Sequence, residues 1–187
     1  MDIQKPLEGV RVLELANYVA APAAGRLLTD WGAEVIRAET FSGDVWRFYC
    51  ANCSCPATEE ENPGFDMFNA NKKDILLNTK TPEGLEVLFR LLDTADVFIT
   101  NTRYKSLIKI GLDYDTLKKR YPRLIYALVS GYGMYGPDAD KPGYDGVAFF
   151  SRSGLLADTA EPSGYPTCPP GTFGDCTTGT TLFGAIC

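Results

Sequence analysis

Gly9-Val10-Arg11-Val12-Leu13-Glu14-Leu15-Ala16, then Asn17-Tyr18-Val19-Ala20-Ala21-Pro22-Ala23-Ala24-Gly25-Arg26-Leu27-Leu28-Thr29-Asp30-Trp31-Gly32, then Glu34-Val35-Ile36-Arg37-Ala38-Glu39, is the stretch that decides the fold. The first block alternates Val/Leu with Arg/Glu, the period of a strand. Pro22 suits the first position of a helix, where no N–H is needed, and Gly32 is a natural stop. The third block is a second strand. Strand, helix and strand make a βαβ unit, which predicts a parallel sheet. The first loop lacks G-x-G-x-x-G and so is no dinucleotide fingerprint. Its small residues, Ala20, Ala21, Ala23, Ala24 and Gly25, suit close approach by a ligand or neighbouring element, or tight packing of helix on sheet.

The alternation continues outward. Residues 41–68 read as a long irregular loop, and such loops tend to carry function. Ile75-Leu76-Leu77-Asn78 reads as a short strand. Thr81 caps a helix with Pro82 at its first position and an apolar stripe of Leu85, Leu88, Leu91 and Leu92. Asp96–Thr100 is the next strand, followed by a loop and helix ending near Gly111. Residues 113–120 form a short helix with acids early and bases late, as its dipole favours. Leu124–Val129 reads as a buried strand. Gly131-Tyr132-Gly133-Met134-Tyr135-Gly136-Pro137 is a glycine-rich turn at its carboxyl end, where open α/β sheets place ligands. Residues 144–156 are helical in pattern. The fold class is α/β, an open, doubly wound parallel sheet.

Composition limits the chemistry. A chain of 187 residues suits one domain with room for part of a second. A net charge of −6 argues against nucleic acid. There is no apolar signal region and no run of about 18 apolar residues, so a cytoplasmic protein without a membrane span is expected. Six cysteines include one cluster, Cys50, Cys53 and Cys55, which reads as free thiols in a loop, with no metal expected. There is no histidine. That removes Ser-His-Asp and Cys-His triads and histidine acid–base catalysis.

One carboxylate stands out in Pro169-Pro170-Gly171-Thr172-Phe173-Gly174-Asp175-Cys176-Thr177-Thr178-Gly179-Thr180. Asp175 follows a glycine and precedes small residues. It reads either as the N-cap of a helix over Thr177–Cys187 or as a nucleophile. At the head of a helix, the dipole favours its charged form. That helix ends in Leu182-Phe183-Gly184-Ala185-Ile186-Cys187, an apolar end that needs something to pack on, so a longer parent chain is expected.

These blocks resemble the class III, formyl-CoA transferase-like, CoA-transferases. The likeness rests on Leu7–Glu14, Ala20-Ala21-Pro22-Ala23, Gly32–Glu39, Asn69-Ala70-Asn71-Lys72-Lys73, Leu77–Gly84, Ala95-Asp96-Val97, Gly131-Tyr132-Gly133 and Gly174-Asp175, and runs nearly end to end. Within the family it is most similar to enzymes acting on 2-hydroxyisocaproate or phenyllactate, from Glu14–Asn17 with Ala20–Arg26, and Glu60-Glu61-Asn62.

The resemblance implies a Rossmann-like sheet with helices on both faces, of which residues 1–187 are the N-terminal part of the large domain. It implies the nucleophile at Asp175. It implies CoA contacts at Tyr18, Val19, Arg37, Leu77, Asn78, Thr79, Lys80, Asn101, Thr102, Arg103, Lys109 and Lys141. It also implies coenzyme A thioesters as substrates, no permanently bound cofactor, and an interlaced homodimer in the full-length parent. Thr40 stands where relatives carry an arginine near the nucleotide, so that interaction is either missing or supplied by Arg37 or Arg47. A related α-methylacyl-CoA racemase carries a catalytic histidine where Tyr144 stands. An inactive CoA-binding fragment is the other alternative.

Overall fold

Successive side chains of β1 (Arg11–Leu15) point to opposite faces of a sheet, and both faces are covered. Val12 joins a core with Leu28, Val35, Val97 and Ile99, while Leu13 and Leu15 join another with Leu88, Leu92, Phe98, Leu107 and Leu117. This computed structural model describes residues 5–49, 55–58, 60–167 and 171–187. The strands β1, β2 (Glu34–Glu39), β3 (Lys73–Leu76), β4 (Val97–Thr100) and β5 (Ile125–Leu128) form one parallel sheet in the order β3-β2-β1-β4-β5. The α/β doubly wound reading therefore holds. The order reverses between β1 and β4, and such a switch point opens a crevice at the carboxyl ends of the strands.

One face carries α1 (Ala20–Asp30) and α8 (Phe173–Ile186), whose Leu182, Phe183 and Ile186 pack on the Val12 core. The other carries α4 (Pro82–Leu92), α5 (Tyr104–Lys109) and α6 (Tyr114–Arg120). Thr81 accepts the Gly84 N–H and Asp113 that of Thr116, the side-chain caps that start α4 and α6. No helix among the described residues is long and apolar enough to cross a membrane.

Several local expectations need correction. Pro22 is the third residue of α1, not the first, and the missing N–H still costs nothing there because the first turn has no intrahelical acceptors. The long loop contains two short helices, α2 (Trp46–Tyr49) and α3 (Pro63–Asn69). Trp46 and Phe65 anchor them in a third cluster with Val19 and Phe68. β3 begins two residues before Ile75. β5 is the outer strand, so Ile125 is exposed rather than buried. Residues 144–156 split into a π-helical segment (Asp145–Ser151) and α7 (Leu155–Asp158), separated at Gly154. Cys50, Cys53, Cys168, Pro169 and Pro170 lie outside the described residues. Cys55 carries a free thiol. Among the described residues no cluster of three or more metal-ligating side chains occurs.

Candidate active site

A cavity of about 430 Å³ lies at the carboxyl ends of β1, β4 and β5. Its lining includes Tyr18 after β1, Asn101 to Tyr104 after β4, Ser130, Gly131 and Gly133 after β5, and Asp175 from α8. Gly131 and Gly143 close the turn side. A Cβ built on either would come within 2.4 Å of the other's Cα, so these two backbones touch as only glycine permits.

Asp175 is not the N-cap of α8. Thr172 holds that position, and Asp175 sits in the first turn. The backbone N–H of Asp175 is instead satisfied by another element: it donates to Asp145 Oδ1 at 3.0 Å. Asp145, the first residue of the π-helical segment, thus ties that segment to α8. Burial, then the neighbouring Asp145 charge, pushes the Asp175 carboxyl up to about 6. The expectation that the helix dipole favours its charged form is therefore outweighed. Burial also raises the thiol of adjacent Cys176, which keeps it protonated and a poor nucleophile.

Small residues explain how α8 reaches this position. A Cβ on Gly179 would lie 2.7 Å from the Ala20 carbonyl oxygen and 2.7 Å from Ala23 Cβ. Helix α8 therefore lies directly against the Ala-rich start of α1. The small residues of the first loop and helix serve a neighbouring element, which presents Asp175.

The expected contact residues divide. Tyr18, Asn101, Thr102, Arg103 and Lys141 line the cavity with Asp175. Asn101 also staples two loops, because Oδ1 accepts the Asn17 N–H at 3.0 Å and Nδ2 donates to the Asn17 carbonyl at 2.6 Å. The Thr102 N–H donates to Thr100 Oγ1. Arg103 is exposed and has no ion-pair partner among the described residues, while Lys141 pairs with Asp138 at 2.6 Å.

The other expected contacts lie away from the cavity. Val19 is fully buried in the Trp46 cluster. Leu77, Asn78, Thr79 and Lys80 follow β3, at the far edge of the sheet, with Leu77 buried and Lys80 exposed. Lys109 is exposed at the end of α5.

Arg37 is buried, with its side chain 1% exposed, among Glu14, Glu39 and Asp44. Its Nη2 donates to Asp44 at 2.6 Å and to the Ala16 carbonyl at 3.3 Å. Its Nε lies 3.5 Å from Glu14 Oε1, an ion-pair separation without hydrogen-bond geometry. A guanidinium so enclosed is not free for a phosphate, so it does not stand in for the arginine replaced by Thr40. Arg47 is half-exposed and pairs with Glu39 and Asp74. Lys72 Nζ completes the buried network with bonds to both Glu14 oxygens, at 2.9 and 2.8 Å.

Sequence reasoning assigned no site role to the cavity-lining Asp145 and Tyr144, nor any role to Asp44, which is buried and accepts the Tyr18 N–H. Tyr144 meets Tyr18 edge-on, with ring centroids 6.1 Å apart, and both line the cavity. Nothing in the spacing of Tyr144 and Asp145 marks a partner some thirty residues onward. Gly43-Asp44 reads only as a loop.

Comparison with known proteins agrees with this architecture. The chain is 49% identical over 158 residues to the cinnamoyl-CoA:phenyllactate CoA-transferase of Clostridium sporogenes, covering 84% of this chain and 38% of that protein. It is 44% identical over 169 residues to the (R)-2-hydroxy-4-methylpentanoate CoA-transferase of Clostridioides difficile, covering 90% of this chain and 42% of that protein. The chain thus spans about two fifths of the length of these relatives. The crystal structure of a CAIB/BAIF family protein from Brucella suis superposes with a TM-score of 0.89 at 36% identity, over 98% of this chain and 48% of that one. The model of CoA-transferase family III matches residues 7–187, and the chain belongs to that family.

Proposed function

We propose that Asp175 is the nucleophile of a CoA transfer between an acyl-CoA and a free carboxylic acid, with a 2-enoyl-CoA and an (R)-2-hydroxy acid as the pair. The carrying observation is the half-buried Asp175 carboxyl on the switch-point cleft, raised to about 6 beside Asp145. At about pH 7 such a group is mostly ionised yet more basic, hence more nucleophilic, than an ordinary carboxylate. The relatives named for phenyllactate and 2-hydroxy-4-methylpentanoate support the substrate class.

The Asp175 carboxylate attacks the thioester carbonyl, and the C–S bond breaks to leave a mixed anhydride and CoA thiolate. The thiolate attacks the aspartyl carbonyl of the anhydride, forming an aspartyl-CoA thioester and releasing the first acid. The acceptor carboxylate then reverses the sequence, which regenerates Asp175. Thiolate and carboxylate leave without protonation, so the cycle needs no histidine, and one thioester replaces another without ATP. Coenzyme A is substrate here and no resident cofactor takes part. Arg103 and Lys141 supply positive charge on the cleft for a phosphorylated ligand.

In this reading residues 1–187 are the N-terminal part of a large domain. The longer parent acts in the cytoplasm as an interlaced homodimer.

The test is intact mass spectrometry after incubation with an acyl-CoA and hydroxylamine. An Asp175 hydroxamate is expected in the wild type and absent in Asp175→Asn. No adduct in the full-length parent would sink the mechanism.

A further inference from the structure

Tyr18 is held in an unusual backbone. Its φ is 63°, and among the non-glycine described residues with positive φ it is the only aromatic. A bulky side chain there costs about 1–2 kcal/mol and persists only where the surroundings impose it. What imposes it is Asp44, which is 0% exposed. The Tyr18 N–H donates to both Asp44 oxygens, at 3.0 and 3.1 Å. Asp44 is itself fixed: it accepts from Arg37 Nη2 at 2.6 Å and from the Trp46 N–H at 2.9 Å, and its own N–H donates to Glu39 Oε1 at 2.5 Å. A rigid chain of contacts therefore runs from β2 through Arg37 and Asp44 to the cleft.

We propose that Asp44 is a positioning residue: its buried carboxylate holds the Tyr18 backbone left-handed and so sets the aromatic wall that Tyr18 and Tyr144 present to the cleft of Asp175. This rests on the transferase reading only for what the cleft binds. A purely structural Asp44 would serve Arg37 alone, and its loss would act on stability without acting through Tyr18.

The experiment pairs amide hydrogen exchange by NMR with the rate of Asp175 adduct formation, in the full-length parent. Asp44→Ala, which removes the acceptor, is expected to speed exchange at the Tyr18 amide and to slow adduct formation, each by about tenfold. In a Tyr18→Ala background, Asp44→Ala is expected to cause no further loss of rate, although it lowers the unfolding midpoint in both backgrounds. Equal rate losses in the two backgrounds, or an unchanged Tyr18 amide, overturn the proposal.

If Asp44→Ala does not fold, the wild-type amide decides. Protection of about a hundredfold over an open loop supports the proposal, and open-loop exchange overturns it. A wild type that forms no adduct with any acyl-CoA removes the transferase reading, and the Tyr18 amide still decides this one.

Discussion

Asp145 accepts the backbone N–H of Asp175 at 3.0 Å while its charge opposes ionisation of the Asp175 side chain. One carboxylate thereby fixes the position of a second and raises its basicity. Asp145→Asn separates the two effects, because the amide oxygen still accepts the N–H but the charge is gone. With the carboxyl raised to about 6, adduct formation in the wild type is expected to have its pH midpoint there, and in Asp145→Asn a lower one. A midpoint that stays put, measured across a range of about pH 4 to 8, removes Asp145 from the mechanism.

Asp175 costs the fold stability at neutral pH. Its folded pKa of about 6 exceeds the usual value of 3.8, so its contribution is most favourable below about pH 4 and is lost as pH rises through 6. Asp175→Asn is therefore expected to stabilise the protein by about 1 kcal/mol above pH 7, a figure reduced for the group's partial solvent screening. Urea denaturation at about pH 4 and about pH 7.5 checks the sign: the gain shrinks at the lower pH.

Gly179→Ala should destabilise, although alanine is the better helix former. The added methyl meets the Ala20 carbonyl and Ala23 Cβ at 2.7 Å, so α8 must move from α1. A loss of about 2 kcal/mol is expected, with slower adduct formation because Asp175 travels with α8. A stabilised variant would contradict this packing.

Lys72→Met removes the cation bonded to both oxygens of Glu14, whose side chain is 0% exposed. Arg37 remains, at the longer 3.5 Å. The loss is expected to be about 3 kcal/mol in denaturant unfolding, the cost of a buried charge left undercompensated. A double variant, Glu14→Gln with Lys72→Met, should recover part of it.

Arg103 is the cleft cation without an ion-pair partner among the described residues. Arg103→Ala is expected to weaken CoA binding about tenfold at low salt, and the difference should shrink as ionic strength rises. Titration calorimetry at two salt concentrations reads both effects. Lys109→Ala, away from the cavity, should leave CoA affinity unchanged.

The alternating β1 pattern, the β2 block and the Thr81-Pro82 start of α4 were legible because each depends on neighbours in sequence: a period of two, or a cap and its first turn. The same local logic misread β5. Its apolar run suits a buried strand, but its outer place in the sheet leaves Ile125 exposed. Arg37, which the resemblance offers as a CoA contact, is enclosed by Glu14, Glu39 and Asp44, carboxylates that no local pattern brings around it.

By itself the sequence determined the α/β class, the family-like order of blocks, the lack of histidine in these 187 residues and the place of Asp175 between a glycine and a run of small residues. These follow from local periodicity and residue type. Tertiary structure alone decided that Asp175 is set in a first turn and braced by Asp145, that Gly179 and the alanines of α1 bring it to the switch-point cleft, and that Asp44 holds the backbone of Tyr18 beside the same cavity. Each depends on groups far apart in the chain meeting at hydrogen-bond or van der Waals distance, where burial and charge proximity replace spacing as the governing physics.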